Sequence, residues 1–169
     1  RGAEAIAVLD EAIAVSPRRP QFYFIAAEAY FNGGDEARAV EAVRRAYELA
    51  PDYPDALTNF AIILILTGQD DEVEPLLLKH YGTTEVANRR YAEAYTRVDR
   101  FEKAIPIWER LVAASPNDAE LHASLGVAYA RAGRPEDGIR ELEQAIALEP
   151  RFKADGEAII QGIRSGQIR

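Results

Sequence analysis

The sequence predicts an all-α chain built as a solenoid of stacked helix pairs. Three observations carry this. Short phrases ending in proline recur at a nearly fixed interval. Apolar residues repeat at helical spacing, not at the alternation of a strand. Ala, Glu, Lys, Leu and Arg supply close to half of the 169 residues, a share that with such periodicity marks helical proteins.

The phrases are Val15-Ser16-Pro17, Leu49-Ala50-Pro51, Ala114-Ser115-Pro116 and Leu148-Glu149-Pro150, and their prolines are 34, 65 and 34 residues apart. The middle interval is 34 plus 31, so one unit is three residues short. Inside the units, Tyr23-Ala26-Ala27-Tyr30, Leu57-Phe60-Ala61-Leu64, Asn88-Tyr91-Ala92-Tyr95 and His122-Leu125-Gly126-Tyr129 all run i, i+3, i+4, i+7. That spacing places each set on one helix face. Ala39, Ala46, Ala104 and Ala145 are the small partners on the second helix of each pair. A period of 34 with this arrangement resembles the tetratricopeptide repeat family over about the whole length. The resemblance implies helix–turn–helix units wound into a right-handed superhelix.

Each element has its own local reasons. A lone helix at 2–16 carries Ala5, Leu9 and Ala12 before Pro17, the second half of a unit. Helix pairs follow at 20–33 with 35–50, 54–67 with 69–81, 84–97 with 100–115, and 118–132 with 135–149. Pro20, Pro54 and Pro135 suit first turns, where a missing N–H costs little. Gly33-Gly34, Gly68, Gly82 and Gly133 suit helix ends, and Asn117 with Glu120 reads as a capping pair. Pro75 and Pro106 share one slot in second helices, where each removes about one ladder bond on an outer face. A last helix at 152–164 is expected to be interrupted by Gly156 and Gly162. The chain therefore reads as one domain: a half repeat (1–17), full repeats (18–51, 52–82, 83–116, 117–150) and a capping helix (151–169). With no Met and a start inside a helical pattern, it reads as a trimmed piece of a longer protein.

Twenty basic against 28 acidic residues give a net charge of −8. Nucleic acid is bound through clustered Lys and Arg, and the pairs Arg18-Arg19, Arg44-Arg45 and Arg89-Arg90 are scattered among acids, so no nucleic-acid partner is expected. The absence of Cys excludes disulfides and thiolate metal sites but leaves the compartment open, cytoplasmic or extracytoplasmic. No apolar run approaches the ~18 residues of a membrane helix, so no membrane insertion is expected. His80 and His122 fall in different units and read as structural. Asp70, Asp71, Glu72 and Glu74 open a helix and compensate its dipole. Without a nucleophile–base pair, a phosphate loop or a metal motif, the reading is non-catalytic, with no cofactor and no metal.

The resemblance implies that the first helices of the pairs line a concave groove that holds peptides. Its positions in this sequence are Phe24, Glu28 and Phe31; Thr58, Ile62 and Ile65 beside Asn59; Arg89, Glu93 and Thr96 beside Arg90 and Arg97; and Ala123, Val127 and Ala130. Phe24, Phe31, Ile62 and Ile65 would form an apolar anchor, with Arg89 and Arg97 beyond for an acidic neighbour. The alternative for the two phenylalanines is packing against a missing first helix, and for the two isoleucines ordinary helix contact. The carboxylate clamp of one subfamily is not expected: only Asn59 and Arg90 match it, while Phe24 and Val86 replace its lysines and Glu28 would repel a carboxylate. The main expectation is a bacterial protein-interaction module that binds a peptide or partner domain. The run Ser16–Tyr23 also resembles the repeat tails of O-antigen-ligase-like bacterial membrane proteins, which implies as the alternative a structural or spacer arm. The helix at 2–16, apolar nearly all round through Ile6, Val8, Leu9, Ile13 and Val15, expects cover on both faces, and self-association through it follows.

Overall fold

The computed structural model describes residues 2–53 and 55–167. Among them are ten α-helices and no strand. They are α1 (Gly2–Val15), α2 (Pro20–Asn32), α3 (Glu36–Leu49), α4 (Ala56–Leu66), α5 (Val73–Tyr81), α6 (Arg89–Arg97), α7 (Phe101–Ala114), α8 (Ala119–Arg131), α9 (Pro135–Leu148) and α10 (Lys153–Arg164). Short 3-10 turns precede α5 (Asp70–Glu72) and α10 (Pro150–Phe152). The contacts gather into two units, Arg1–Thr84 and Glu85–Arg169.

In unit 1, α2 packs on α3, α3 on α4, and α4 on α5. The face of α2 that carries Ala26, Ala27 and Tyr30 is buried, as is the Ala39-Val43-Ala46 stripe of α3. Small residues at both crossings bring the helix axes close. In α4 the residues Leu57, Phe60, Ala61, Ile63, Leu64 and Ile65 are all buried, because this helix has neighbours on several sides. In unit 2, α6 packs on α7, α7 on α8, α8 on α9, and α10 on α9. Trp108 is 2% exposed and its indole N–H donates to Thr96 Oγ1 at 3.1 Å. Full burial of one such side chain stabilises by about 1.5–3 kcal/mol.

Turn chemistry sets the ends. Gly34, Gly68 and Gly133 adopt φ between 72° and 81°, and Asp99 takes the same left-handed conformation at φ 60°. These four lie 34, 31 and 34 residues apart, so Asp99 occupies the slot that the other units give to glycine. Pro20 and Pro135 begin their helices as expected; Pro54 lies outside the described residues. Pro75 stands in the first turn of α5, because a 3-10 turn precedes that helix. Pro106 stands inside α7, which continues through it to Ala114.

Three expectations are corrected. The helix expected at 84–97 starts only at Arg89. Gly82 closes α5 in the left-handed conformation, and the Asn88 side chain caps α6 by accepting from Arg90 N at 2.9 Å. The cap of α8 is Asp118, not Asn117: its carboxylate accepts from Glu120 N at 3.0 Å and Leu121 N at 3.2 Å. Lastly, Gly156 and Gly162 do not interrupt α10. Both are buried, and a Cβ at Gly156 would meet Ile146 Cδ1 at 2.8 Å. The missing side chain lets α10 approach α9, and Ile160 and Ile163 seat against Leu142 and Ala130.

Candidate functional site

The first-helix surface of unit 1 is made by α2 and α4. Buried Ala26, Ala27 and Tyr30 turn one side of α2 inward, which leaves Gln21, Ile25, Glu28 and Asn32 as its exposed stripe. Phe24 and Phe31 flank that stripe and are half-buried. The Phe24 ring lies against Tyr53, with centroids 5.7 Å apart, and Tyr53 is itself 48% exposed. On α4, Asn59 and Ile62 are half-buried. Ile65, at 1% exposure, and Thr58, at 6%, are buried. Those two are covered by neighbouring helices, so of the four residues expected as an apolar anchor Phe24, Phe31 and Ile62 keep exposed surface. Ile25, 54% exposed, was missed; its signal was one large apolar residue within an otherwise polar i, i+4, i+7 row.

Unit 2 presents charge. Arg89 Nε donates to Glu93 at 2.9 Å, and its terminal nitrogens reach Glu120 Oε2 at 3.3 and 3.4 Å. Arg151 donates to the other oxygen of Glu120 at 3.2 Å. The Glu93 hydrogen bond, followed by Glu120, holds the Arg89 pKa above its ordinary value. Arg90 and Arg97 of α6 are exposed, and both are engaged in further interactions. Ala123 and Val127 of α8 are half-buried and Ala130 is buried.

A second feature of each unit joins an acid, a tyrosine and an arginine. In unit 1 the Tyr30 hydroxyl donates to Asp10, while Arg38 donates to Tyr30 Oη at 2.7 Å and to the same carboxylate. The Arg38 guanidinium lies 3.9 Å from the Tyr30 ring centroid. The Tyr30 hydrogen bond and then Arg38 hold the Asp10 carboxyl below its usual range. Burial, then Asp10, raises Tyr30. A cavity of about 520 Å³ opens beside this group, lined by Ile13, Tyr23, Ala42 and Glu41 among others. In unit 2 the Tyr129 hydroxyl donates to Glu109 and Arg134 stacks 4.2 Å from its ring. Burial, followed by the Glu109 hydrogen bond, pushes Tyr129 up to about 12.

The histidines take structural places. His80 lies in the last turn of α5, edge-on to Tyr81 with centroids 4.6 Å apart. His122 is buried, with Nδ1 2.7 Å from Glu141 Oε2 and Nε2 3.0 Å from the Pro116 carbonyl oxygen. Among the described residues no group of His, Cys, Asp or Glu is placed to hold a metal ion, and no helix is long and apolar enough to cross a membrane.

The chain is similar to several known proteins. Interferon-induced protein with tetratricopeptide repeats 2 of Homo sapiens is 29% identical over 131 residues, 71% of this chain and 28% of that protein. Cellulose synthase operon protein C of Escherichia coli (strain K12) is 42% identical over 48 residues, 28% of this chain and 4% of that protein. The chain thus spans well under half the length of these curated relatives. Among solved structures, MamA of AMB-1 aligns with a TM-score of 0.60 at 22% identity, over 89% of this chain and 90% of that one. PilW, described as a widely conserved type IV pilus biogenesis factor, aligns with 0.63 at 18%, over 87% and 70%. YrrB, described as a TPR protein with an unusual peptide-binding site, aligns with 0.56 at 16%, over 93% and 84%. These likenesses show the fold. The family model for the tetratricopeptide repeat matches residues 3–151, and the chain belongs to that family.

Proposed function

We propose that this chain is a non-catalytic protein-interaction module that docks a peptide or partner domain on its first-helix surfaces. Family membership supports the general role. The observation that carries the finer reading is the apolar surface of unit 1. Phe24 and Phe31 lie seven residues apart on α2, half-buried, beside exposed Ile25 and Tyr53. Aromatic rings that are partly covered before binding lose little freedom when a ligand seals them, and such anchors dominate interface energies. On this reading Phe24, Phe31, Asn59 and Ile62 contact an apolar segment and Glu28 selects against acid beside it. Arg89, Arg90, Glu93 and Arg97 form a separate charged surface on unit 2. The described peptide binding of YrrB is consistent with this use of the fold.

Mutation decides it. Phe24→Ala and Phe31→Ala should each weaken partner binding by ~2 kcal/mol, read on a peptide array and then by titration of the retained peptides. Melting should shift by less than a buried Phe truncation, which costs about 3–5 kcal/mol. A large loss of stability would assign both rings to the core. An array with no sequence preference would instead favour the second reading, a spacer arm of a bacterial membrane or envelope protein.

A further inference from the structure

Units 1 and 2 match at an offset of 99 residues: Pro17 with Pro116, Tyr30 with Tyr129, Gly34 with Gly133 and Pro51 with Pro150. The same offset pairs Tyr53 with Phe152 and Asp52 with Arg151. In unit 2 the aromatic ring of this slot has its own cation. The Arg151 guanidinium lies 4.9 Å from the Phe152 ring centroid, and Glu120 and Glu149 bind it. In unit 1 a ring is kept, but a carboxylate stands where the cation was. Tyr53, 48% exposed, lies tilted against Phe24. Arg19, Arg38 and Arg44 approach the rings of Phe22, Tyr30 and Phe60. Among the described residues no cation lies over Phe24 or Tyr53.

Two carboxylates border the pair. Glu28 stands one turn after Phe24 on the same face of α2, and Asp52 adjoins Tyr53 in the α3–α4 turn. Both are exposed, and neither takes part in a hydrogen bond or ion pair among the described residues. Rings attract a cation through their quadrupole, and the acids attract it through charge. The wider field agrees. Residues 1–84 hold 14 acidic and 7 basic side chains, residues 85–169 hold 14 and 13, so unit 1 carries nearly all of the net charge and draws cations towards it. The pair does not depend on what precedes α1. In unit 2 a first helix, α6, stands ahead of α7. The slots of Phe24, Glu28 and Tyr53 there are Ala123, Val127 and Phe152, and all three are only half-buried. A first helix ahead of α1 would likewise leave Phe24 and Tyr53 open.

We propose that the Phe24–Tyr53 pair, with Glu28 and Asp52 beside it, receives an Arg or Lys side chain of a bound peptide, an outside cation taking the place that Arg151 fills over Phe152. This rests on the docking reading above and adds the chemistry of the ligand: a basic residue next to its apolar segment. Arg suits the site better than Lys, because a planar guanidinium stacks on a ring while its N–H groups donate to the carboxylates.

The test applies the full chain to an array of randomised 12-residue peptides, then titrates the retained peptides by fluorescence anisotropy. These should be enriched in Arg or Lys beside an apolar residue, and changing that basic residue to Gln should weaken binding about tenfold. Asp52→Arg gives unit 1 the internal cation of unit 2 and should weaken the basic peptides about tenfold, and Glu28→Gln roughly threefold. Tyr53→Phe keeps the ring and should keep the binding, whereas Tyr53→Leu should lose it. All three positions are exposed, so these variants should melt as the parent does. Asp71→Asn removes an exposed acid of unit 1 on the turn before α5. It should change affinity less than about twofold, which separates the site from diffuse attraction to an acidic chain. Retained peptides without a basic preference overturn the proposal and leave the docking reading standing. So does undiminished binding by Asp52→Arg, or a loss from Asp71→Asn as large as that from Glu28→Gln. An array that retains no peptide sinks both.

Discussion

Units 1 and 2 are written in the same repeat, with Tyr30 and Tyr129, Val43 and Trp108, Gly34 and Gly133 in matching places, yet their surfaces differ in kind. Among the described residues the exposed large hydrophobic side chains, Val8, Val15, Ile25, Tyr53, Leu78 and Tyr81, all lie in unit 1. Unit 2 turns outward Arg89, Glu93, Glu120 and Arg151, tied to one another. Its terminal helix α10 buries Ile160 and Ile163 but exposes Lys153, Glu157, Gln161 and Arg164. The repeat pattern decides which residues face a neighbouring helix. Whether a neighbour sits there decides whether the same apolar residue is core or surface.

The sharpest way to break the comparison is to truncate one slot in both units. Trp108→Ala removes a fully buried ring and should cost about 3–5 kcal/mol. Leu9→Ala in the equivalent place of α1, with one flank open, should cost about 1–2 kcal/mol, the transfer of a partly buried side chain. Denaturant titration of both variants checks this. Equal losses would mean that the α1 face is covered in solution.

Close approach should separate two successive helix crossings of unit 2. Gly138→Ala puts a methyl against backbone of α8, and overpacking of this kind costs about 1–3 kcal/mol. Gly156→Ala meets only the flexible tip of Ile146 and should cost less. Melting temperatures of the pair give the order, and a reversed order would contradict the backbone contact.

Extremes of pH should act in opposite ways on the two tyrosines and on Asp10. Tyr129 has its folded pKa raised to about 12 from 10, so the neutral form stabilises the fold. That contribution is complete below pH ~10 and is lost as pH rises towards ~12. Tyr30 is raised in the same direction. Asp10 is lowered from 3.8, so its contribution is present above pH ~4 and is lost as pH falls below it. Tyr129→Phe should flatten the alkaline limb of a stability–pH curve, and Asp10→Asn the acid limb. An alkaline limb unchanged by Tyr129→Phe would remove its hydroxyl from the account.

The smallest effect belongs to the ion pairs. Arg151 is exposed, and its bonds to Glu120 and Glu149 lie in solvent. Arg151→Ala should change stability by less than ~1 kcal/mol and less still in high salt. A larger loss would show that the pairs of unit 2 act as a cooperative network.

The sequence by itself determined the helix pairs, their period and the short unit, because these rest on local spacing: Pro17, Pro51, Pro116 and Pro150 mark the phrases, and Tyr23-Ala26-Ala27-Tyr30 marks a face. It also placed glycines at helix ends, where Gly34, Gly68, Gly82 and Gly133 prove left-handed, since a positive φ is costly for most other residues. Only the tertiary structure decided the rest. Ile65 and Ile62 read alike as apolar residues on one helix, but burial took Ile65 and left Ile62 partly open, because α4 has neighbours on several sides. Gly156 read as a break in α10 and became a point of contact, since a helix tolerates glycine when packing repays its freedom. Ala5 and Leu9 occupy the slots that are core in the other second helices, yet Ala5 is exposed and Leu9 half-buried. A residue's periodicity fixes the direction its side chain takes from the helix axis; what it meets there depends on whether a neighbouring helix of the stack packs on that face.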